Sequence, residues 1–314
     1  MSELTKFLFE GLPVRGMVVR LNESWREVLA RRAASEGGAF PAEVRSLLGE
    51  MAAAAVLMQA NIKFNGALVL QVFGDGPVGL AVAEVQPDLG FRVTAKVTGT
   101  VPSGAGLEAL LNVHGRGRCA ITLDPRDRLP GQQPYQGVVP LEGDSIAGAL
   151  ESYMRQSEQL DTRLWLAAGS QVAAGVLLQK LPREGGTVNA PAGSGSVAVD
   201  EDTWPRASLL AGTLTAEELL AVPADVLVQR LFWEEQLQHA EPATPQFACT
   251  CSRERIGRML ITMGREEVDS IIAERGHVEV TCDFCNARQV FDAVDIGHLF
   301  ATGLTQTAEA DRPH

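Results

Sequence analysis

The chain has 314 residues, of which 46% are hydrophobic and 21% are charged, and its formal net charge is −12. This composition is ordinary for a soluble protein, and the length allows one large domain and a smaller one. The acidic balance argues against a nucleic-acid surface, because contacts to phosphate need clustered lysine and arginine.

The N-terminal segment lacks the pattern of a secretory signal, which needs a basic start, an apolar core and a small-residue cleavage site. The longest apolar run, residues 51–58, is too short to span a bilayer. The cysteines are few and mostly paired, which is typical of a reducing compartment rather than of a secreted disulfide framework. We therefore expect a cytoplasmic protein with no membrane partner.

The first half of the chain predicts two helices followed by a sheet. Helices are expected at 21–34 and from Pro41 through 58, where proline suits the first helical position. Short β-branched or alternating runs, separated by Gly, Pro and Asp, then predict antiparallel strands. These runs lie at 66–73, 78–85, 91–98, 118–123 and 136–141.

A further helix at 144–159 and two strands at 163–168 and 171–179 complete a predicted N-terminal α/β sheet domain, residues 1–181. Cys119 falls inside one of the strand-like runs, and we expect it to be a small buried core residue.

The next segment, 182–240, is predicted to be a linker. It begins with a flexible loop rich in Gly, Pro and Ser and continues as short helices. The last helix carries five apolar residues at helical spacing, which are too many for a solvated spacer, so this helix is expected to pack on another element. They are Val226, Leu227, Leu231, Phe232 and Trp233.

Four of the five cysteines form two close pairs, Cys249 and Cys251 as C-x-C and Cys282 and Cys285 as C-x-x-C. Four thiolates at about 2.3 Å satisfy the tetrahedral coordination of Zn²⁺. The pairs therefore predict one zinc ion that holds together a small C-terminal domain, residues 241–302.

That domain is expected to contain two helices, a hairpin that carries the C-x-x-C pair and a last helix that starts at Asp292 or Asp295. The remaining residues, 303–314, are predicted to form a disordered tail.

The purpose of the zinc site has more than one interpretation. A purely structural site is one; a redox switch is another, because C-x-x-C spacing is associated with a low thiol pKa and ready disulfide exchange. A thiol-disulfide oxidoreductase that uses Cys282 and Cys285 is disfavoured, since no thioredoxin-like βαβ pattern precedes them. A zinc-ribbon nucleic-acid module is disfavoured by the acidic charge. The sequence contains no H-E-x-x-H, G-x-S-x-G or P-loop motif, so we do not expect an enzyme.

Several longer segments carry a resemblance to a known family. They are F-A-C-T-C-S-R-E-R from Phe247, E-E-V-D-S-I-I-A-E-R-G from Glu266, E-V-T-C-D-F-C-N from Glu279 and F-D-A-V-D-I from Phe291. A block in the first domain, P-Y-Q-G-V-V-P-L-E-G-D-S from Pro134, extends the likeness to nearly the whole chain. In these segments the chain resembles the 33 kDa chaperonins, a family of redox-regulated heat-shock chaperones.

The resemblance implies an α+β protein in three parts: an N-terminal α/β domain, a helical linker and a zinc domain. It implies that the reduced, zinc-bound form is nearly inactive. Oxidation would form one disulfide between Cys249 and Cys251 and another between Cys282 and Cys285, and would release the zinc. The linker would then loosen, and the protein would form homodimers that hold unfolding client proteins without ATP.

Loss of zinc would unfold the small domain, because the binding of structural zinc contributes as much free energy as the entire stability of a typical domain. If the linker helix packs on that domain or on the sheet, this change would expose Leu227, Leu231, Phe232 and Trp233. Newly exposed apolar patches bind other proteins, so these four are the candidate client-binding residues.

Overall fold

The computed structural model describes residues 1–127, 131–182 and 202–310, with side chains described as far as residue 301. The chain folds into two compact units, Met1–Ala248 and Cys249–His314. The boundary falls at Cys249, the first cysteine of the C-x-C pair, and thus later than the predicted boundary at 241. Most of the predicted flexible loop, 183–201, lies outside the described residues. The mixture of helices and sheets confirms the α+β class.

The first sheet of the N-terminal unit has the strand order β10-β1-β2-β9-β8, and every neighbouring pair is antiparallel. Its strands are β1 Glu3–Phe9, β2 Val14–Leu21, β8 Thr162–Ala168, β9 Ala173–Lys180 and β10 Leu237–His239. Strands β8 and β9 were predicted from the sequence, whereas β1 and β2 were not. Both faces of this sheet are covered, so β2 is buried along nearly its whole length and shows no alternation of apolar and polar residues.

The second sheet has the order β11-β5-β4-β3-β6-β7. Its strands are β3 Gly66–Phe73, β4 Val78–Val85, β5 Gly90–Val97, β6 Arg118–Pro125, β7 Tyr135–Pro140 and β11 Gln246–Phe247. The five predicted strands are confirmed. Segments with Gly and Pro separate them, and buried and partly buried residues alternate along β3. The short β11, which directly precedes the cysteine motif, lies parallel to β5 at the sheet edge.

Helix α2, Ala42–Asn61, lies in the core and contacts strands of both sheets. It is apolar on nearly all sides, which is typical of a core helix. Small residues allow the close approach: a Cβ atom on Gly49 would lie 2.4 Å from the Cβ of Ala168. The other helices of this region are α1 Glu23–Ala33, α3 Leu107–Leu111 and α4 Ile146–Ser157.

The helices of the predicted linker belong to the N-terminal unit and cover the face of the first sheet that is opposite α2. They are α5 Thr203–Ala211, α6 Ala216–Ala221 and α7 Ala224–Leu231. Phe232, directly after α7, packs its ring 5.7 Å from Phe7 and 5.1 Å from Phe9 of β1. The linker is therefore folded onto the sheet, as the apolar residues of its last helix required.

The C-terminal unit contains α8 Arg253–Met263, α9 Arg265–Arg275, β12 Val278–Thr281, β13 Arg288–Phe291 and α10 Ala293–Ala310. Strands β12 and β13 form an antiparallel hairpin. Helix α10 continues to Ala310, beyond residue 303, at which the disordered tail was predicted to begin. The segment has no proline before Pro313, so nothing in its sequence forces the helix to end earlier. Residues 311–314 lie outside the described part of the chain.

None of the helices in the described ranges is long and apolar enough to cross a bilayer.

A buried arginine connects α6 to the sheet. Arg20 of β2 donates hydrogen bonds to the carbonyl oxygens of Leu219 and Val222, each at 2.6 Å, and of Leu220 at 2.9 Å. These carbonyls lie at the C-terminal end of α6, where backbone acceptors lack helical partners and a cation is favourable.

We expect the Arg20→Met substitution to loosen α6, because it leaves these buried carbonyls without donors. The loss should be about 2 kcal/mol in the free energy of unfolding, and amides 216–222 should exchange hydrogen faster. Urea unfolding and hydrogen exchange measure the two effects. Arg155→Met, at an exposed position of α4, is the matched control. Unchanged exchange in α6 would show that Arg20 does not hold this helix.

Candidate metal centre

The C-x-C pair lies directly before α8, in a turn that the helix cap fixes. Ser252 is the N-cap residue of α8, and its Oγ accepts a hydrogen bond from the backbone N–H of Arg255 at 3.1 Å. Such a cap satisfies one of the free N–H groups at a helix start. The cap therefore fixes the first residue of α8 and, with it, the position of the turn that carries Cys249 and Cys251.

The C-x-x-C pair lies in the turn between β12 and β13. The N–H of Cys282 donates to the carbonyl of Ala287 at 3.0 Å, and the N–H of Asn286 donates to the carbonyl of Cys282 at 2.8 Å. Asn286 has a φ of 59°, a left-handed conformation that asparagine tolerates better than most residues. This tight turn directs both thiols to one side of the hairpin end.

The two turns bring all four thiols together. The Sγ atoms of Cys249, Cys251, Cys282 and Cys285 lie within 4.8 Å of one another. Two contacts join the motifs, at 3.7 Å between Cys249 and Cys282 and at 3.2 Å between Cys251 and Cys285, and the thiol of Cys251 also neighbours that of Cys249. Four sulfurs bound at about 2.3 Å in a tetrahedron would be about 3.8 Å apart. The donor set thus has the number and spacing that one tetrahedral metal ion requires.

The pKa values of the thiols also indicate that this site requires a cation. Burial, followed by the neighbouring thiols of Cys285 and Cys249, raises the pKa of Cys251 to about 12. The hydrogen bond with Cys249, together with burial, raises the pKa of Cys282 far above its ordinary value. Four thiolates this close repel one another, so they can all be ionised only around a cation. Sulfur ligands in a tetrahedron favour zinc or another soft metal.

Arg253, which the sequence analysis did not single out, connects the elements around the thiols. It donates to the carbonyl of Val290 and to the carboxylate of Asp295, both at 2.6 Å, and its guanidinium lies 4.1 Å from the ring centre of Phe291. One side chain thereby joins the start of α8 to β13 and α10. Its position in the C-x-C-S-R motif was the only sequence signal.

The candidate client-binding residues do not form one exposed patch. Leu227 and Phe232 are each 2% exposed, whereas Trp233 is 74% exposed and Leu231 is half-buried. The fifth cysteine, Cys119, is buried in β6 and lies outside the thiol cluster, as predicted. Its burial raises its pKa to about 12, so this thiol is unreactive.

Comparison with known proteins identifies the family. A family model described as Hsp33 protein matches residues 2–292. The chain belongs to the Hsp33 family. It is 45% identical over 311 residues to the 33 kDa chaperonin of Chromobacterium violaceum, covering 99% of this chain and 98% of that one. It is also 45% identical over 304 residues to the 33 kDa chaperonin of Methylobacillus flagellatus, covering 96% of each.

A solved structure has the same fold as this Hsp33-family chain. The 33 kDa chaperonin of Thermotoga maritima superposes with a TM-score of 0.75 at 21% identity, covering 96% of this chain and 99% of that one. The resemblance inferred from the cysteine motifs is confirmed.

We expect the thiol cluster to hold one metal ion per chain. Cys285→Ala should abolish most of the bound metal, because three thiolates cannot complete the tetrahedron. Metal content is measured by plasma mass spectrometry on protein purified under reducing conditions. Cys119→Ala removes a thiol that lies outside the cluster and should keep the full metal content. Equal metal in both variants would contradict the assignment of the site.

Proposed function

We propose that this chain is a redox-regulated, ATP-independent chaperone that holds unfolding proteins after its C-terminal cysteines are oxidised. The observation that carries the proposal is the four-thiol cluster of Cys249, Cys251, Cys282 and Cys285, whose Sγ atoms lie within 4.8 Å of one another. Membership of the Hsp33 family and the name of its relatives, 33 kDa chaperonin, support it. We also propose a cytoplasmic location, where the thiols would be reduced in the absence of stress.

In the reduced state the four thiolates would hold one Zn²⁺, which supplies the positive charge that lets them lie together. The unit around them has a small core, which consists of Ile256, Leu260, Val268, Val278, Phe291, Ile296 and Phe300. Structural zinc contributes roughly 10 to 16 kcal/mol to a fold of this kind. Whole domains are stable by only about 5 to 15 kcal/mol. Without zinc, this unit would therefore unfold.

Oxidation would convert the thiols to two disulfides, one between Cys249 and Cys251 and one between Cys282 and Cys285. Formation of each disulfide releases two electrons from a pair of thiolates; hydrogen peroxide, as the oxidant, would accept them and, with two protons from solvent, give two waters. The thiol contacts run between the motifs, from Cys249 to Cys282 and from Cys251 to Cys285, and also within the first motif, from Cys251 to Cys249. The proposed pairing would replace the contacts between the motifs by bonds within each motif, which is expected of a unit that unfolds.

Client proteins would then bind to the linker. Leu227 and Phe232 are covered by the first sheet, so they become accessible only when α7 leaves β1. Trp233 is already exposed and would mark the edge of the same surface. We propose that these residues and Leu231 contact clients in the oxidised state, in which the protein would be a homodimer.

No structural observation favours the alternatives. Cys282 and Cys285 belong to a shared four-thiol cluster rather than to a separate dithiol, which an oxidoreductase would need.

Peroxide treatment at raised temperature should release zinc and, in step with it, suppress the aggregation of an unfolding client. Zinc is followed with a colorimetric chelator and aggregation by light scattering, in the same samples. Cys119→Ala should behave as the unchanged chain, because this thiol is buried outside the cluster. Thiol reductant with zinc should reverse both effects.

Zinc release without suppression of aggregation would mean that the site is structural only, and the chaperone proposal would fail. Peptide mapping of the oxidised samples separates the two possible pairings. Linked peptides that contain Cys249 with Cys282 would contradict the proposed disulfides but not the chaperone activity.

Trp233 offers a test of the client surface that does not disturb the fold. A photo-crosslinking residue at position 233 should capture an unfolding client in the oxidised protein and not in the reduced protein, because only oxidation completes the apolar surface around it. Val113, which is half exposed on the N-terminal unit, is the control position. Equal capture at positions 113 and 233 would show that clients do not prefer the linker.

A further inference from the structure

A cavity of about 420 Å³ lies between β1, β2 and β10 of the first sheet and the C-terminal end of α2. Its walls carry the basic residues Lys6, Arg15, Lys63 and His239, and no aspartate or glutamate lines it. This is unusual for a chain with a net charge of −12 and only four lysines, two of which line this cavity.

The fold holds Lys6 and Arg15 close to each other. In the ladder between β1 and β2, Lys6 pairs with Met17 and Leu8 pairs with Arg15, so Lys6 and Arg15 are diagonal neighbours on one face. Diagonal residues lie about 7–8 Å apart, within reach of long side chains. Burial and the charge of Arg15 lower the pKa of Lys6, and burial lowers the pKa of Arg15. Two like charges are thus held together in a half-buried position.

The hydrogen-bond partners of these cations are neutral. Lys6 donates to the carbonyl of Ala60 at 2.6 Å, and Arg15 donates from Nε to Oε1 of the buried Gln179 at 3.1 Å. Within the described ranges, Lys6, Arg15 and Lys63 form no ion pair. The bond to Ala60 caps the C-terminal end of α2, and this structural role explains the position of Lys6. It does not account for the other two cations.

A phosphate group matches this charge better than a carboxylate does. A phosphate monoester carries close to two negative charges and several acceptor oxygens, which can engage a guanidinium fork and an ammonium together. The cavity is larger than a phosphate group and lies in the size range of small-molecule pockets, about 300–1,000 Å³. We propose that Lys6, Arg15 and Lys63 form a binding pocket for a small phosphate monoester.

Occupation of this pocket would also affect the linker. Residues 238–240 form one wall, and β10 is attached to β1 through the pairing of His239 with Phe7. A ligand that contacts both β1 and this wall stabilises the attached state of β10. Resting on the proposed function, this predicts that the phosphate ligand delays the onset of chaperone activity during oxidation.

The pocket is tested by isothermal titration calorimetry on the full chain, reduced and with its metal bound, at constant ionic strength. The probes are glycerol 3-phosphate, inorganic phosphate and glycerol. We expect one molecule of glycerol 3-phosphate to bind per chain and glycerol not to bind. Lys63→Met should weaken binding about tenfold, because it removes one charge-assisted contact. Lys96→Met, at an exposed position of β5 outside the pocket, should not change binding.

Arg15→Met provides a second variant, with circular dichroism and metal content as checks of folding. Equal binding to the unchanged chain, Lys63→Met and Arg15→Met would overturn the proposal. Binding of a polynucleotide but of neither phosphate probe would also overturn it. Because the titration uses the reduced chain, its outcome is independent of chaperone activity. A phosphate ligand that binds but does not delay activation would refute only the effect on the linker.

Discussion

The first sheet has to bury apolar side chains on both faces, and the helices that follow the N-terminal domain supply one of the two covers. Helix α2 covers one face, where Met17 and Val19 are buried. Helices α5, α6 and α7 cover the other, where Phe7, Phe9 and Val18 are buried. Removing these helices would expose the apolar side of the sheet as well as their own. The contact that completes the fold is thus also the contact that would hide a surface for unfolded proteins.

The C-terminal unit depends on its thiols in a different way. Its core has few large residues, and the connection from α8 to β13 and α10 includes a partly exposed arginine, Arg253. Partly exposed ion pairs contribute about 1 kcal/mol or less. In the proposed zinc-bound state, most of the stability would therefore come from the four thiolates and the cation between them. Such a unit would respond to thiol chemistry as a whole, because its small core would not maintain the fold once the metal is lost.

Features that depend on neighbouring residues could be predicted from the sequence, whereas features that depend on tertiary contacts could not. The cluster of four cysteines was predictable because the spacing within each pair is a property of adjacent residues. The strands of the second sheet were predictable because turns with Gly and Pro separate them. Strands β1 and β2 were missed because charged residues, namely Lys6, Arg15 and Arg20, interrupt their apolar runs. The roles of Arg20 and Arg253 were not predictable, since each depends on carbonyl groups that only the tertiary fold brings near.

The pocket at the end of α2 also depends on the tertiary fold and could not be predicted from the sequence. Lys6 and Arg15 are separated along the chain, and only the register of β1 with β2 makes them diagonal neighbours. A shift of that register by one residue would move one strand's side chains to the opposite face. Such a site produces no recognisable sequence motif, because only the fold brings its residues together.

The lengths of the linker helices bear on how the protein would change when it is activated. Helices α5, α6 and α7 have 9, 6 and 8 residues. Isolated helices shorter than about 12–15 residues are marginal in water. Their helical state therefore depends on contacts with the first sheet, including those of Arg20 and Phe232. Detachment from the sheet and loss of helix would be one event. The surface offered to clients would then be a flexible apolar segment that adapts to each client, rather than a preformed groove that fits only one.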